Sequence, residues 1–180
     1  VVRGFVPSQD PDDSGAVGCR SMVASRSAGP TAIGWREWVS LPEWGVEHVK
    51  AKIDTGARTS TLHAFDLEWF DRDGREWVRF EVHPWQRTTR EPVVAEAAVL
   101  ERRDVKSSSG RVDHRPIVET VIRIAGVDVP SEITLTRRDE MGFRMLIGRQ
   151  ALRRRFVVDA GRSYLGGRPE RSVRRKNRGR

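Results

Sequence analysis

Through the middle of the chain, apolar and polar residues alternate in short runs separated by turn residues. Val49, Ala51 and Ile53 alternate with Lys50 and Lys52, the period-two pattern of a strand with one face in a core. Ile33, Trp35, Val39 and Leu41 keep a rougher alternation that breaks at Glu37 and ends at Pro42. Residues 67–70 and 77–83 flank Asp71-Arg72-Asp73-Gly74, a good hairpin turn. In the second arm Val78, Phe80 and Val82 face one way, and Trp77, Arg79, Glu81 and His83 the other. Residues 93–100 read as a further strand, although their near-continuous apolar character also suits a short helix. Residues 117–124 and 127–135 pair around Ala125-Gly126. Met145-Leu146-Ile147-Gly148 followed by Arg149-Gln150-Ala151-Leu152 reads as a buried strand breaking into a short helix. Many short strands punctuated by turns predict a mainly β fold, closed or strongly curved.

The strand over 46–53 runs directly into Asp54-Thr55-Gly56-Ala57, where the alternation stops and short polar residues cluster. An acid at the point where a strand leaves the core is held rigidly and still faces a cleft. Gly56 lets the backbone turn and lets another chain approach, having no Cβ. Thr55 offers a hydroxyl to lock the turn. Each half of an aspartic protease site needs these features, although Asp-Thr-Gly also makes an ordinary strand-end turn.

The longer string Lys52-Ile53-Asp54-Thr55-Gly56-Ala57-Arg58-Thr59-Ser60-Thr61-Leu62-His63-Ala64 resembles the active-site segment of retropepsin-like aspartic peptidases. More narrowly, it resembles the bacterial family often labelled "ATP-dependent zinc protease", some members of which are linked to a ribosomal-protein glutamate ligase. Two later segments match in order. The run from Lys106 to Thr120 contains Ser108, Ser109 and Gly110, then Arg115-Pro116 and Val118-Glu119-Thr120; it takes the place of the retropepsin flap, and read without the resemblance it is a surface hairpin tip. Met145–Gly148 with Arg149 is similar to the apolar-apolar-Gly-Arg element that braces the active-site strand from behind. Phe156–Asp159 with Arg162, Ser163, Tyr164 and Leu165 resembles the family's closing strand and turn. The resemblance spans about residues 32–166 and implies a retropepsin-like closed β-barrel with one short C-terminal helix. It departs from the best-known retropepsins after the motif, where Arg58 stands in place of an acid. The salt bridge usual between that acid and the arginine cannot form that way. Arg149 is left to pair with a carboxylate or with backbone carbonyls near the motif, and Arg58 to face the cleft.

Chemistry of this kind needs two carboxylates about 3 Å apart sharing one proton, because like charges that close cannot both ionise. One activates a water while the other polarises the scissile carbonyl. The chain has one Asp-Thr-Gly and no internal repeat, so the second carboxylate must be Asp54 of another copy, in a two-fold homodimer. Asp54, Thr55 and Gly56 are the expected catalytic loop. Ala57, Arg58, Thr59, Ser60, Ser108, Ser109, Gly110 and Arg149 are the expected substrate contacts, with Lys50 and Lys52 further candidates for substrate carboxylates. The resemblance implies a peptide or protein substrate, including acidic or glutamate-extended peptides.

Composition sets the remaining bounds. In 180 residues, 37% are hydrophobic and 32% charged, so one domain over 31–165 with unpacked ends is expected. Residues 1–30 are rich in Ser, Gly, Pro and Asp and read as a flexible leader. Residues 166–180 hold seven Arg and Lys against Glu170, and so carry six of the net +8 charge; they are expected to be a disordered basic tail. That tail is the only expected route to nucleic acid. A non-catalytic module of the same fold, docked on RNA or a ribosome through the tail, is the competing reading. The lone Cys19 excludes an intramolecular disulfide, and no signal segment or bilayer-length apolar run is evident. A cytoplasmic protein without membrane contact is therefore expected. His48, His63, His83 and His114 fall in no metal-binding spacing, and no phosphate-binding loop occurs. Neither a metal nor another cofactor is expected.

Overall fold

In the computed structural model, residues 29–106, 112–137 and 142–179 are described. The fold is mainly β. The strands are β1 (Thr31–Gly34), β2 (Arg36–Leu41), β3 (Val46–Asp54), β4 (Ser60–Arg72), β5 (Arg75–Val82), β6 (Val93–Lys106), β7 (Val112–Ile124), β8 (Val127–Thr136), β9 (Met145–Gly148) and β10 (Phe156–Asp159). Two short helices, α1 (Arg149–Leu152) and α2 (Arg171–Lys176), follow β9 and β10.

The main sheet runs β2-β3-β9-β4-β5-β6-β7-β8, and extra pairings of β2 with β7 and of β4 with β8 close it into a ring. Closure removes most of the unpaired edge that an open sheet would present. Strand β4 serves both ends of the ring. Its first residues pair with β8 and β9, and those from Ala64 onward with β5, in a ladder whose register shifts between Phe65 and Glu68. Asp66 in that shift has a φ of 46°, a bulge that bends β4 within its ladder with β5. The hairpins turn as their sequences demand. Asp73-Gly74 and Ala125-Gly126 both have positive φ at the two central positions, as a two-residue turn matching the sheet twist requires.

Burial follows the alternation. Val46, Val49, Ala51 and Ile53 of β3 are buried, as are Val78, Phe80 and Val82 of β5. They meet Leu62, Ile122, Ile133, Leu135 and Ile147 in one core. Residues 93–100 are strand and not helix, with Ala95 and Ala97 buried and Val94 and Leu100 exposed. Pairing on both sides, to β5 and to β7, decides what periodicity left open.

Three features differ from the sequence expectation. Strand β6 continues through Lys106, so 102–106, whose polar run onward to Arg111 predicts a flexible loop over a cleft, are instead paired with β7. Its polar residues are those of a surface ladder, where Arg102 pairs with Glu76 across the sheet at 2.5 Å. His83, assigned to the outer face, is buried, because its ring stacks on Phe65 with centroids 3.9 Å apart. Within 166–180, α2 forms where a disordered tail was expected. Asn177 is buried behind it, accepting from the Gln86 N–H at 3.1 Å, and Lys176 reaches Glu91 at 2.9 Å. A charge run suggests a solvated end, but those two contacts tie this one to the loop after β5. No helix among the described residues is long and apolar enough to cross a membrane.

Candidate active site

Asp54 is the last residue of β3, half-buried where the strand leaves the core. Its Oδ1 accepts the backbone N–H groups of Gly56 at 3.1 Å and Ala57 at 3.2 Å. The carboxylate thus closes its own turn with one oxygen. The other oxygen has no hydrogen-bond partner among the described residues. Thr55 and Gly56 are exposed beside it.

Support comes from β9 and α1. Strand β9 lies between β3, which enters the loop, and β4, which leaves it: Asp54 is opposite Gly148 in a parallel ladder, and Thr61 opposite Leu146 in an antiparallel one. A Cβ at Gly148 would meet the carbonyl carbon and oxygen of Thr59 and lie 2.8 Å from the Arg58 oxygen, so only glycine lets the loop pass this closely. The Gly148 N–H donates to the buried Ser60 hydroxyl at 3.1 Å. Beyond it the chain turns into α1. There the Arg149 N–H donates to the Ala57 carbonyl at 2.8 Å and the Gln150 N–H to the Arg58 carbonyl at 3.0 Å. Two N–H groups that a helix start leaves unpaired are thereby used to fix the loop. The Arg149 guanidinium adds bonds to the Thr55 carbonyl at 2.8 Å and the Gly56 carbonyl at 3.2 Å. Of the two partners open to Arg149 from sequence, the carbonyls are the ones it takes. Arg58 is exposed and has no ion-pair partner among the described residues.

Asp54, Thr55, Gly56, Ala57, Arg58, Thr59, Ser60 and Arg149 are therefore brought into one loop assembly. Ser108, Ser109 and Gly110 lie outside the described residues. Sequence reading missed two supports. Trp35 accepts the Ile53 N–H at 2.9 Å through its carbonyl. Glu37 is fully buried, and its carboxylate accepts the N–H groups of Gly34 at 2.6 Å, Leu165 at 2.8 Å and Gly166 at 3.2 Å. The break in the alternation at Glu37 was the only sign of it. Among the described residues no group of three or more His, Cys, Asp or Glu is placed to hold a metal ion. His48 packs against Trp38, whereas His63 stacks on Phe65.

A ring of strands carrying an Asp-Thr-Gly loop, braced by a strand-to-helix element, defines the retropepsin-like class. The family model described as "RimB-like: Retropepsin-like aspartic endopeptidase RimB" matches residues 32–169, and the chain belongs to that family. Two curated relatives carry the name "Probable alpha-L-glutamate ligase". That of Shewanella halifaxensis (strain HAW-EB4) is 42% identical over 132 residues, 73% of this chain and 29% of the relative. That of Desulfotalea psychrophila (strain LSv54 / DSM 12343) is 43% identical over 127 residues, 71% of this chain and 27% of the relative. The chain thus spans less than a third of the curated relatives it matches. A crystal structure of a Legionella pneumophila protein of unknown function shares the fold, with a TM-score of 0.65 and 23% identity over 76% of this chain and 98% of that one.

Proposed function

We propose that the protein is an aspartic-type peptidase whose active site combines one Asp54-Thr55-Gly56 loop from each of two subunits. The observation that carries this reading is the state of Asp54: one oxygen ties down its own loop, and the other stands without a protein partner on an open surface. A lone carboxylate so placed is half of a dyad. A two-fold axis beside it brings up the second, and the pair share a proton. One carboxylate then takes a proton from a bound water, which attacks the scissile carbonyl, while the protonated partner donates to the carbonyl oxygen. Collapse of the tetrahedral intermediate breaks the C–N bond, with a proton delivered to the leaving amine. In this arrangement Thr55 braces the paired loops, and Gly56 presents its backbone to substrate. The reaction needs no metal.

The substrate side of the proposal is peptides rich in carboxylates, including glutamate-extended ones. The name borne by the relatives supports this, as do the exposed Arg58 and Lys52 near Asp54. The test pairs solution mass with cleavage of a peptide pool containing oligoglutamates, by wild type and Asp54→Asn, with and without chelator. A dimer with chelator-resistant cleavage that the variant lacks is expected. A monomer whose cleavage survives Asp54→Asn would overturn the mechanism.

A further inference from the structure

Helix α2 carries more charge than its docking uses. Arg171, Arg174, Arg175 and Arg178 line one recess of about 390 Å³ with no carboxylate among them. Their spacing places them on one face of the helix and the turn that follows it. None of the four has an ion-pair partner among the described residues, and the Nε–H of Arg174 is buried without an acceptor. Lys176 and Asn177, by contrast, are spent on Glu91 and Gln86, so the arginine face is held in place by residues outside it.

The positive surface continues toward the site. Arg178 shares a second recess, of about 290 Å³, with Lys50, Arg87, Gln86 and Asn177. Lys50, Lys52 and Asp54 point to the same side of β3. Arg36 sits opposite Lys52 in the β2–β3 ladder, a like-charge pairing that ordinarily destabilises a sheet. Neither has an acidic partner among the described residues. We infer that the arginine face of α2, joined to Lys50 and Lys52, is an exosite that holds carboxylates of an acidic peptide while another part of the same peptide lies at Asp54. The inference rests on the peptidase reading and adds a second point of attachment to it.

Distances set the length of chain required. From Lys50 to Asp54 the strand covers about 13 Å, and from Arg171 to Arg178 the helical rise covers about 10 Å. Laid end to end, these two spans alone correspond to an extended peptide of roughly seven residues, so a longer peptide is needed to occupy both. RNA fits less well. The arginine recess has no ring among its lining residues, whereas sequence-tolerant single-strand sites combine cations with aromatic platforms. Trp85 beside it is buried, with its indole N–H donated to Glu91 at 3.2 Å.

The test measures binding of fluorescent tetraglutamate and dodecaglutamate to the Asp54→Asn protein by anisotropy, with and without Arg171→Gln/Arg175→Gln/Arg178→Gln. These three arginines are exposed, and an unchanged thermal midpoint verifies the fold. Lys50→Gln/Lys52→Gln provides a second, independent break in the track. The dodecamer is expected to bind more tightly than the tetramer, and each variant to lower its affinity roughly tenfold. In the active protein the triple variant raises KM for the longer peptide more than for the shorter. Equal binding of both lengths, or full length dependence in the triple variant, overturns the exosite. So does a loss confined to an oligouridylate probe. Length-dependent binding without cleavage by wild type supports the exosite and counts against the peptidase reading, which keeps the two failures distinct.

Discussion

The Arg149 guanidinium lies 2.8 Å from the carbonyl oxygen of Thr55, a residue 94 positions earlier in the chain. With Arg58 where an acid stands in the best-known retropepsins, Arg149 grips the loop backbone instead of a side chain. Both bonds come from one nitrogen, Nη1, held at the end of a planar group; an ammonium is a compact donor on a shorter, more flexible stem. Arg149→Lys is therefore expected to keep part of the loop order and Arg149→Ala to lose it. The alanine variant should cost about 1 kcal/mol in chemical denaturation, the scale of an exposed charged hydrogen bond, with a larger proportional loss of peptide cleavage. Equal behaviour of the two variants would show that the cation at this position contributes nothing to the loop.

Gly148→Ala tests the close pass between β9 and the loop. The new Cβ meets backbone atoms of Thr59 and Arg58, which cannot rotate away as a side-chain tip would. The expected cost is about 3 kcal/mol, read as a fall in the denaturation midpoint. Gly142→Ala, where nothing lies within 4 Å of the new Cβ, is the matched control and should be close to neutral.

Ser60→Ala removes the hydroxyl that takes the Gly148 N–H. The buried donor is then left without an acceptor, worth about 1–3 kcal/mol. Ser60→Thr keeps the oxygen and should retain more of the stability, provided the extra methyl is accommodated. If the alanine variant is as stable as wild type, the bond contributes nothing net.

Glu37→Ala strands three backbone N–H groups at once, those of Gly34, Leu165 and Gly166. Removing a buried charged acceptor from its donors is expected to cost about 3–5 kcal/mol. Hydrogen exchange should quicken at Leu165 and Gly166 ahead of the strands. Protection there that matches wild type would contradict the role given to Glu37.

The docking of α2 should weaken in acid. Lys176, hydrogen-bonded to Glu91, holds that carboxyl below its ordinary value of 4.5. A carboxyl lowered on folding contributes stability that is fully present above the unfolded value and is lost as pH falls through the folded one. Because Glu91 is exposed, the effect is small and screened by salt. Trp85 fluorescence followed from pH 6 downward should report a local transition below about pH 4.5, shifted or abolished in Glu91→Gln. A transition identical in that variant would place the proton elsewhere.

Much of the site was legible because its residues are contiguous. Asp54 through Ser60 follow a clean two-residue alternation, so the strand end and the acid on it could be located from the pattern. Gly148-Arg149 stood out by the abrupt change from apolar strand to helix-prone residues. Other parts depend on what arrives from elsewhere in the chain. Glu37 looked like an error in a strand until Leu165 and Gly166 brought their N–H groups to it. Helix α2 has the composition of a solvated end, and contacts that its sequence does not announce, such as Asn177 with Gln86 and Lys176 with Glu91, make it part of the domain. Residues 93–100 needed the neighbours on both sides to become strand. Local pattern tells where a strand can form; ladder partners far along the chain decide where it does.

Insertion of β9 between β3 and β4 also has a consequence in time. Asp54 and its loop are synthesised long before Gly148 and Arg149, and until those residues arrive the loop has only its own turn, closed by Asp54 on the Gly56 and Ala57 N–H groups. Nascent chains that have emerged only as far as β8 carry the aspartate without its brace. Pairing so distant in sequence forms late, because loop closure must precede any gain from contact. The loop geometry on which the proposed chemistry depends would accordingly be completed only as β9 docks, late in the chain's synthesis.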